Sequence, residues 1–303
     1  MKIRTLAAGL LVGALTLTAC GKEGSPTDNA GDAGGNGAAL PTYTVAQDVT
    51  VEGSPTFDKI KGAGKITIGV KDDQPGLGLK NPTTGEFEGF DIEIAKLVAA
   101  GLGFDAGQIT FTTVDSAARE AAIANGNVDY YVGTYTITDK RKTQVSFAGP
   151  YFMAGQDLLV RSDDNSITGP ETLKGKKVCS VTGSTPIQRV RDQQLTEPEN
   201  IVEFQKYSQC VDKLGTKEVD AVTTDDAILK GFAAQEPDTL KVVGKTFSQE
   251  PYGIGLPLND AALRGKVDDL LQAAIDDGTW QQIYDATLGK SGSAATPPTI
   301  ERY

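Results

Sequence analysis

The chain predicts an α/β fold with largely parallel sheets, and three observations carry that expectation. Short β-branched runs alternate with apolar-periodic helical stretches from residue 65 onward, the alternation occurs twice in the same style, and polar residues gather where strands end. Such a rhythm lays strands in parallel, and ligands of parallel sheets bind in the loops beyond the carboxyl ends of the strands. With 303 residues, 39% of them hydrophobic, there is material for one large or two medium domains with packed cores.

In chain order, Lys65-Ile66-Thr67-Ile68-Gly69-Val70 alternates and reads as a strand leading into Lys71-Asp72-Asp73-Gln74-Pro75-Gly76. Gly85-Glu86-Phe87-Glu88-Gly89-Phe90 is a turn and short strand. Asp91 then caps a helix whose apolar positions are Ile92, Ile94, Ala95, Leu97, Val98 and Leu102. Ile109-Thr110-Phe111-Thr112-Thr113-Val114 is the next strand, Arg119 begins an alanine-rich helix ending at Asn125-Gly126, and a further strand starts at Val128. The second unit repeats the pattern. Strands are expected at Leu158-Leu159-Val160, Lys176-Lys177-Val178-Cys179-Ser180-Val181, Ile201-Val202-Glu203-Phe204 and Ala221-Val222-Thr223-Thr224. Helices follow over residues 187–194, around Val211-Asp212-Lys213-Leu214, and from an Asp225 cap to Ala234. Strands at Lys241-Val242-Val243 and Tyr252-Gly253-Ile254-Gly255-Leu256 precede two amphipathic helices over residues 261–277 and 279–288.

One stretch concentrates chemistry. Gly133-Thr134-Tyr135-Thr136-Ile137-Thr138-Asp139-Lys140-Arg141 reads as a strand end with hydroxyls that opens a helix capped by Thr138, with Arg141 in the first turn. Free helix-start amides, two hydroxyls and a guanidinium suit a carboxylate; the plain alternative is strand threonines beside a solvated arginine. The chain has no histidine, which removes histidine bases, serine–histidine triads and the usual zinc ligands, and no cofactor or metal is expected. Its net charge of −11, without a long basic run, argues against nucleic acid.

The first residues read as an address. Met1-Lys2-Ile3-Arg4 is basic, residues 6–17 are apolar, and Leu17-Thr18-Ala19-Cys20 resembles a bacterial lipobox, implying cleavage after residue 19 and a lipid on the Cys20 sulfur. Loss of Lys2 and Arg4 takes the charge from −11 to −13. Residues 20–56 read as a disordered Gly/Ala/Ser/Pro-rich tether, and residues 291–303 as a flexible tail of the same character. The expected location is the outer face of the cell membrane, held through Cys20. In that oxidising compartment the two remaining cysteines, Cys179 and Cys210, are expected to pair, the alternative being two separate buried thiols.

Gly89-Phe90-Asp91-Ile92, the Arg119 helix with Gly126 and Asp129, and residues 134–141 with Phe147-Ala148-Gly149-Pro150-Tyr151 form a familiar set. Gly183-Ser184-Thr185, Val219-Asp220-Ala221-Val222 with Asp225, and Pro251-Tyr252-Gly253-Ile254 extend it. Together they resemble the polar amino-acid solute-binding proteins of ABC importers, over about residues 59–288. The resemblance implies a two-lobed type II periplasmic-binding-protein fold, each lobe a sheet flanked by helices, the two joined by two crossing hinge strands. Lobe 1 would be residues 57–152 and 247–290, and lobe 2 residues 153–246. It implies a monomer that closes on a free amino acid and delivers it to the permease subunits. Arg141 would hold the ligand's α-carboxylate with support from Thr136, Thr134 would accept from the α-ammonium, Asp225 would pair with it, and Ser184 or Thr185 would bind the carboxylate again.

In glutamate- and aspartate-binding members basic residues stand where this chain has Lys71 and Arg119, with Ser116 nearby, so glutamate is the favoured ligand and aspartate the next. The stacking aromatic of many relatives is absent from Gln74-Pro75-Gly76-Leu77, leaving Tyr43, Tyr135 or Tyr151 as substitutes. The alternatives are a receptor for glutamine or another polar amino acid and, in a different class, a dehydratase-type enzyme on the same fold.

Overall fold

The computed structural model describes residues 38–291 and 295–303. The export signal, Cys20 and the first part of the expected tether lie outside these residues. From residue 38 to 54 the chain is not a free tether. Tyr43 donates to Glu93 at 2.8 Å, the Ala46 amide donates to the Ala100 carbonyl, and Val51 is buried. A few apolar side chains in a small-residue stretch suffice to dock it, and average composition hides them. Ser54 then caps helix α1 (Pro55–Ala63), accepting from the Phe57 amide at 3.0 Å and donating to Asp260 at 2.8 Å.

The first lobe begins with β1 (Ile66–Val70), followed by a three-stranded antiparallel ribbon of β2 (Asp73–Gln74), β3 (Gly78–Lys80) and β4 (Phe87–Glu88). Next come α2 (Phe90–Gly101), β5 (Ile109–Thr113), α3 (Arg119–Ala124), β6 (Tyr130–Tyr131), α4 (Asp139–Lys142) and β7 (Ser146–Ala154). After one residue the chain enters the second lobe as β8 (Gln156–Arg161). There it forms β9 (Val178–Val181), α5 (Thr185–Asp192), β10 (Ile201–Phe204), α6 (Tyr207–Gly215), β11 (Ala221–Asp225), α7 (Asp226–Gln235) and β12 (Leu240–Val242). It returns as β13 (Glu250–Leu256) and ends with α8 (Ala261–Asp276) and α9 (Thr279–Ala286) against the first sheet and α2.

The sheets run β5-β1-β6-β13-β7 and β10-β9-β11-β8-β12. In each, four strands run in one sense and a single strand runs against them, β13 in the first sheet and β8 in the second, so the sheets are largely parallel with one antiparallel strand apiece. The reason is the double crossing: the strand by which the chain enters a lobe from the other one, β8 or β13, arrives in the opposite sense from the strands fed by helices. At the crossing itself a Cβ on Gly155 would lie 2.8 Å from the Ser248 carbonyl oxygen and 2.8 Å from the Thr246 Cβ, so only glycine lets the two segments touch.

Two expected caps have other duties. Gly89, not Asp91, precedes α2. Asp91 is fully buried in its first turn and accepts from the Thr134 amide and the Tyr151 hydroxyl, because this helix start points into the core. Asp225 stands at the start of α7 but makes no cap bond; its Oδ2 accepts from Tyr252. Thr138, in contrast, caps α4 as expected, and Ser184 caps α5, which starts two residues before the expected helix.

The tail is also docked. Ile300 is buried, the Glu301 amide donates to the Gly149 carbonyl, and the Tyr303 ring lies 4.3 Å from the Lys142 ammonium and 4.2 Å from the Arg264 guanidinium. Here again isolated apolar and aromatic residues override a loop-like composition.

Cys179 on β9 and Cys210 on α6 are fully buried and joined in a disulfide across 31 residues. Loop closure of that length is worth about 3 kcal/mol. The Cys179→Ala, Cys210→Ala variant should lose about that much unfolding free energy in urea, and thiol titration of the denatured, non-reduced protein should find no reactive sulfur at either position.

Candidate functional site

The two lobes meet over a narrow polar cavity of about 10 Å³, in this arrangement the space of roughly one water molecule. Ser116, Arg119, Thr134, Thr136 and Arg141 line it from the first lobe, and Ser184, Thr185, Pro186, Tyr207 and Asp225 from the second. The strand-end hydroxyls and helix starts are therefore brought together as the sequence predicts. Lys71 is the exception. It stands behind Ser116, giving its ammonium to the Ser116 Oγ at 2.9 Å and the Val114 carbonyl at 3.3 Å, and does not line the cavity.

The cavity floor is strained. Thr134 has φ +46°, a left-handed conformation that β-branched residues avoid. Asp91 holds it there through the Thr134 amide at 2.9 Å, and Gln74 takes the Thr134 hydroxyl proton at 3.2 Å. Burial pushes the Asp91 carboxyl up to about 6 despite the Tyr151 hydroxyl and Thr134 amide that donate to it and the nearby Lys71.

Two buried guanidiniums converge on one carbonyl. Arg141 donates to the Thr136 carbonyl at 2.7 Å and the Gly183 carbonyl at 3.1 Å, while Arg119 donates to the Ser116 carbonyl at 3.0 Å and the same Gly183 carbonyl at 3.3 Å. Both lie over the Tyr135 ring, 4.3 Å from its centroid for Arg119 and 4.9 Å for Arg141. The acidic partner is half-solvated: Glu120 lies 3.4 Å from the Arg141 Nε and its side chain is 22% exposed. Burial, then Arg119, pulls Arg141 down to about 10, and burial, then Arg119, pulls Lys71 down to about 7. Gly183 itself has φ +80°, and a Cβ there would lie 2.7 Å from the Ala117 Cα of the facing lobe, so the shared carbonyl can come this close only from a glycine.

Hydroxyl protons sort the cavity into two sides. Ser116 accepts from Lys71 and so keeps an O–H to donate, whereas Ser184, which accepts from the Ile187 amide, donates to Ser180 at 3.4 Å, because Ser180 gives its own proton to the Thr223 carbonyl. With Arg119 and Arg141, Ser116 makes a donor side, fit for carboxylates. Thr134 gives its proton to Gln74 and Thr185 gives its proton to Glu250 at 2.8 Å, so both face the cavity as acceptors. Thr136, 3.3 Å from Thr185, must then donate to it. Asp225 completes the acceptor side: its Oδ2 takes the Tyr252 proton at 2.7 Å and its Oδ1 has no partner among the described residues. Burial, then the Glu250 carboxylate, pushes Asp225 up to about 7. Such a group is fit to receive a cation.

Of the aromatic substitutes, Tyr135 stacks under the arginines, Tyr151 is spent on Asp91, and Tyr43 lies on the outer side of α2. Sequence reasoning did not pick Tyr207, which lines the cavity from the start of α6, nor Gln74 and Glu250 behind the threonines. None carries a motif signal; each acts through a neighbour that the sequence does not place. Among the described residues no group of acidic residues and cysteines is arranged to hold a metal, and no helix is long and apolar enough to cross a membrane.

Two mixed α/β lobes, crossed twice by the chain and closing on a cavity with separate donor and acceptor sides, make a two-lobed solute-binding protein. Residues 66–290 match the model of the bacterial extracellular solute-binding proteins, family 3, and the chain belongs to that family. It is 40% identical to a glutamine-binding protein of Geobacillus stearothermophilus over 251 residues, covering 83% of this chain and 90% of the relative. It is 38% identical to the glutamate-binding protein GluB of Corynebacterium efficiens over 246 residues, covering 78% of this chain and 83% of the relative. The solved structure of an ancestral arginine-binding protein bound to arginine superposes with TM-score 0.68 at 35% identity, covering 73% of this chain and 97% of that one.

Proposed function

We propose that this chain is an ABC-importer receptor that binds L-glutamate, or aspartate, and passes it to the permease, tethered outside the cell by a lipid on Cys20. The observation that carries the ligand reading is the one-sided polarity of the cavity. A buried zwitterion needs an opposite charge or several hydrogen bonds at each end. Arg141 suits the α-carboxylate, while Asp225 Oδ1, Thr134 and Thr185 suit the α-ammonium. The remaining group meets only donors, the Arg119 guanidinium and the Ser116 O–H with Lys71 behind it. A carboxylate satisfies them; an amide would turn its own N–H₂ toward them.

That Lys71 lies behind the lining, and that relatives divide between glutamine and glutamate, favours glutamine as the second reading. No enzymatic role is assigned, because the charged groups at the cavity are all used in binding a zwitterion. Isothermal titration of residues 38–303 with glutamate, aspartate and glutamine tests this. Glutamate is expected to bind with Kd on the order of 1 μM, about −8 kcal/mol; saturable glutamine binding without a glutamate response would refute the specificity.

The pH dependence separates the two ligands. Asp225, raised to about 7, must lose its proton to meet the ammonium, so affinity falls as pH drops below about 7 for either ligand. Lys71, lowered to about 7, must gain a proton to support a carboxylate through Ser116, so glutamate affinity also falls as pH rises above about 7. Glutamate titrations should give a bell, glutamine titrations only the acid limb, each limb no steeper than about tenfold per pH unit.

A further inference from the structure

Thr185 has one proton and gives it away from the cavity. The receiver is Glu250, the first residue of β13, reached directly after the chain re-crosses between the lobes, and completely buried. Glu250 Oε2 takes the Thr185 proton at 2.8 Å. Its Oε1 accepts from Ser248 at 2.7 Å and pairs with Arg189 of α5 at 2.7 Å. Ser248 in turn accepts from the Gln156 amide at the outgoing crossing, 2.9 Å away, and Arg189 also bonds the Gln156 side chain. A hinge carboxylate tied down on every side thus points one oxygen at a cavity hydroxyl.

An ionised carboxylate only accepts, so this bond leaves Thr185 only its lone pairs to offer the cavity. For the hydroxyl this speaks against the carboxylate-binding role expected of Thr185 and for the ammonium side, with Asp225. Resting on the amino-acid reading above, we infer that Glu250 is a positioning residue: by holding the Thr185 proton, it makes Thr185 an acceptor for the ligand's ammonium and links both hinge crossings to ligand capture.

The test is a double-mutant cycle on residues 38–303, read by glutamate titration. Glu250→Gln introduces an amide that can donate to Thr185 and turn its hydroxyl around; Thr185→Val removes the hydroxyl. Each should lower affinity about tenfold, the scale of a lost hydrogen bond to a charged group. The double variant should be no weaker than the weaker single, because both changes remove one interaction. Thr185→Ser should restore wild-type affinity. Glu250→Asp keeps the charge opposite Arg189 but draws the oxygen back, and serves in the cycle should Glu250→Gln not fold. Losses that multiply in the double variant, or unchanged affinity in the Glu250 variants, overturn the inference while leaving the amino-acid reading intact. A wild-type protein that binds none of the three amino acids overturns that reading and this inference with it.

Discussion

Arg141→Ala should abolish binding of every amino acid tested, lowering affinity by about two to four orders of magnitude. The guanidinium is 7% exposed, and truncating one partner of a buried charged pair costs about 3–5 kcal/mol, because the other charge is left without compensation. Here the stranded charge would be the ligand's α-carboxylate, common to all amino acids, so the loss should be the same for glutamate, aspartate and glutamine. The ligand-free fold should survive. Arg141 contributes two bonds to backbone carbonyls, but it also sits against the like charge of Arg119, and Glu120 is wet enough to lose its partner cheaply. The checks are titration calorimetry and the ligand-induced rise in Tm, which should vanish while the ligand-free circular dichroism stays unchanged. Retained glutamine binding would move Arg141 out of the α-carboxylate role.

Arg119→Ala should change the name of the ligand. Glutamate loses a charge-assisted bond worth about 1.5–3 kcal/mol, or about 10- to 100-fold in affinity, whereas glutamine loses a neutral one worth about 1 kcal/mol. The glutamate-to-glutamine ratio should therefore shift by about 2- to 30-fold. Lys71→Ala should push the ratio the same way by a smaller factor, since it acts through Ser116 and not on the ligand itself. Parallel titrations of both ligands against both variants decide it; equal losses for glutamate and glutamine would remove Arg119 and Lys71 from the specificity site.

The strand and helix order was legible because burial imposes a period on the sequence, and a local cap such as Thr138 writes its own signal within four residues. Contacts that join distant stretches leave no such trace. Asp91 reads as a cap and is a brace for strained Thr134, 43 residues away; Glu250 falls just before the expected strand at Tyr252 and commands the Thr185 proton across 65 residues. Residues 38–54 and the tail read as free chain because composition averages over the few side chains, Tyr43, Val51, Ile300 and Tyr303, that dock them.

By itself the sequence determined that this is a two-unit α/β chain without histidine chemistry, and that Arg119, Arg141 and Asp225 stand at strand ends or helix starts, where a ligand can reach them. Tertiary structure alone decided the direction of each hydroxyl proton, the retreat of Lys71 behind Ser116 and the meeting of two arginines on one carbonyl. The physical reason is that a residue's type states what it can donate or accept, whereas what it still has to offer a ligand depends on which bonds the fold has already made.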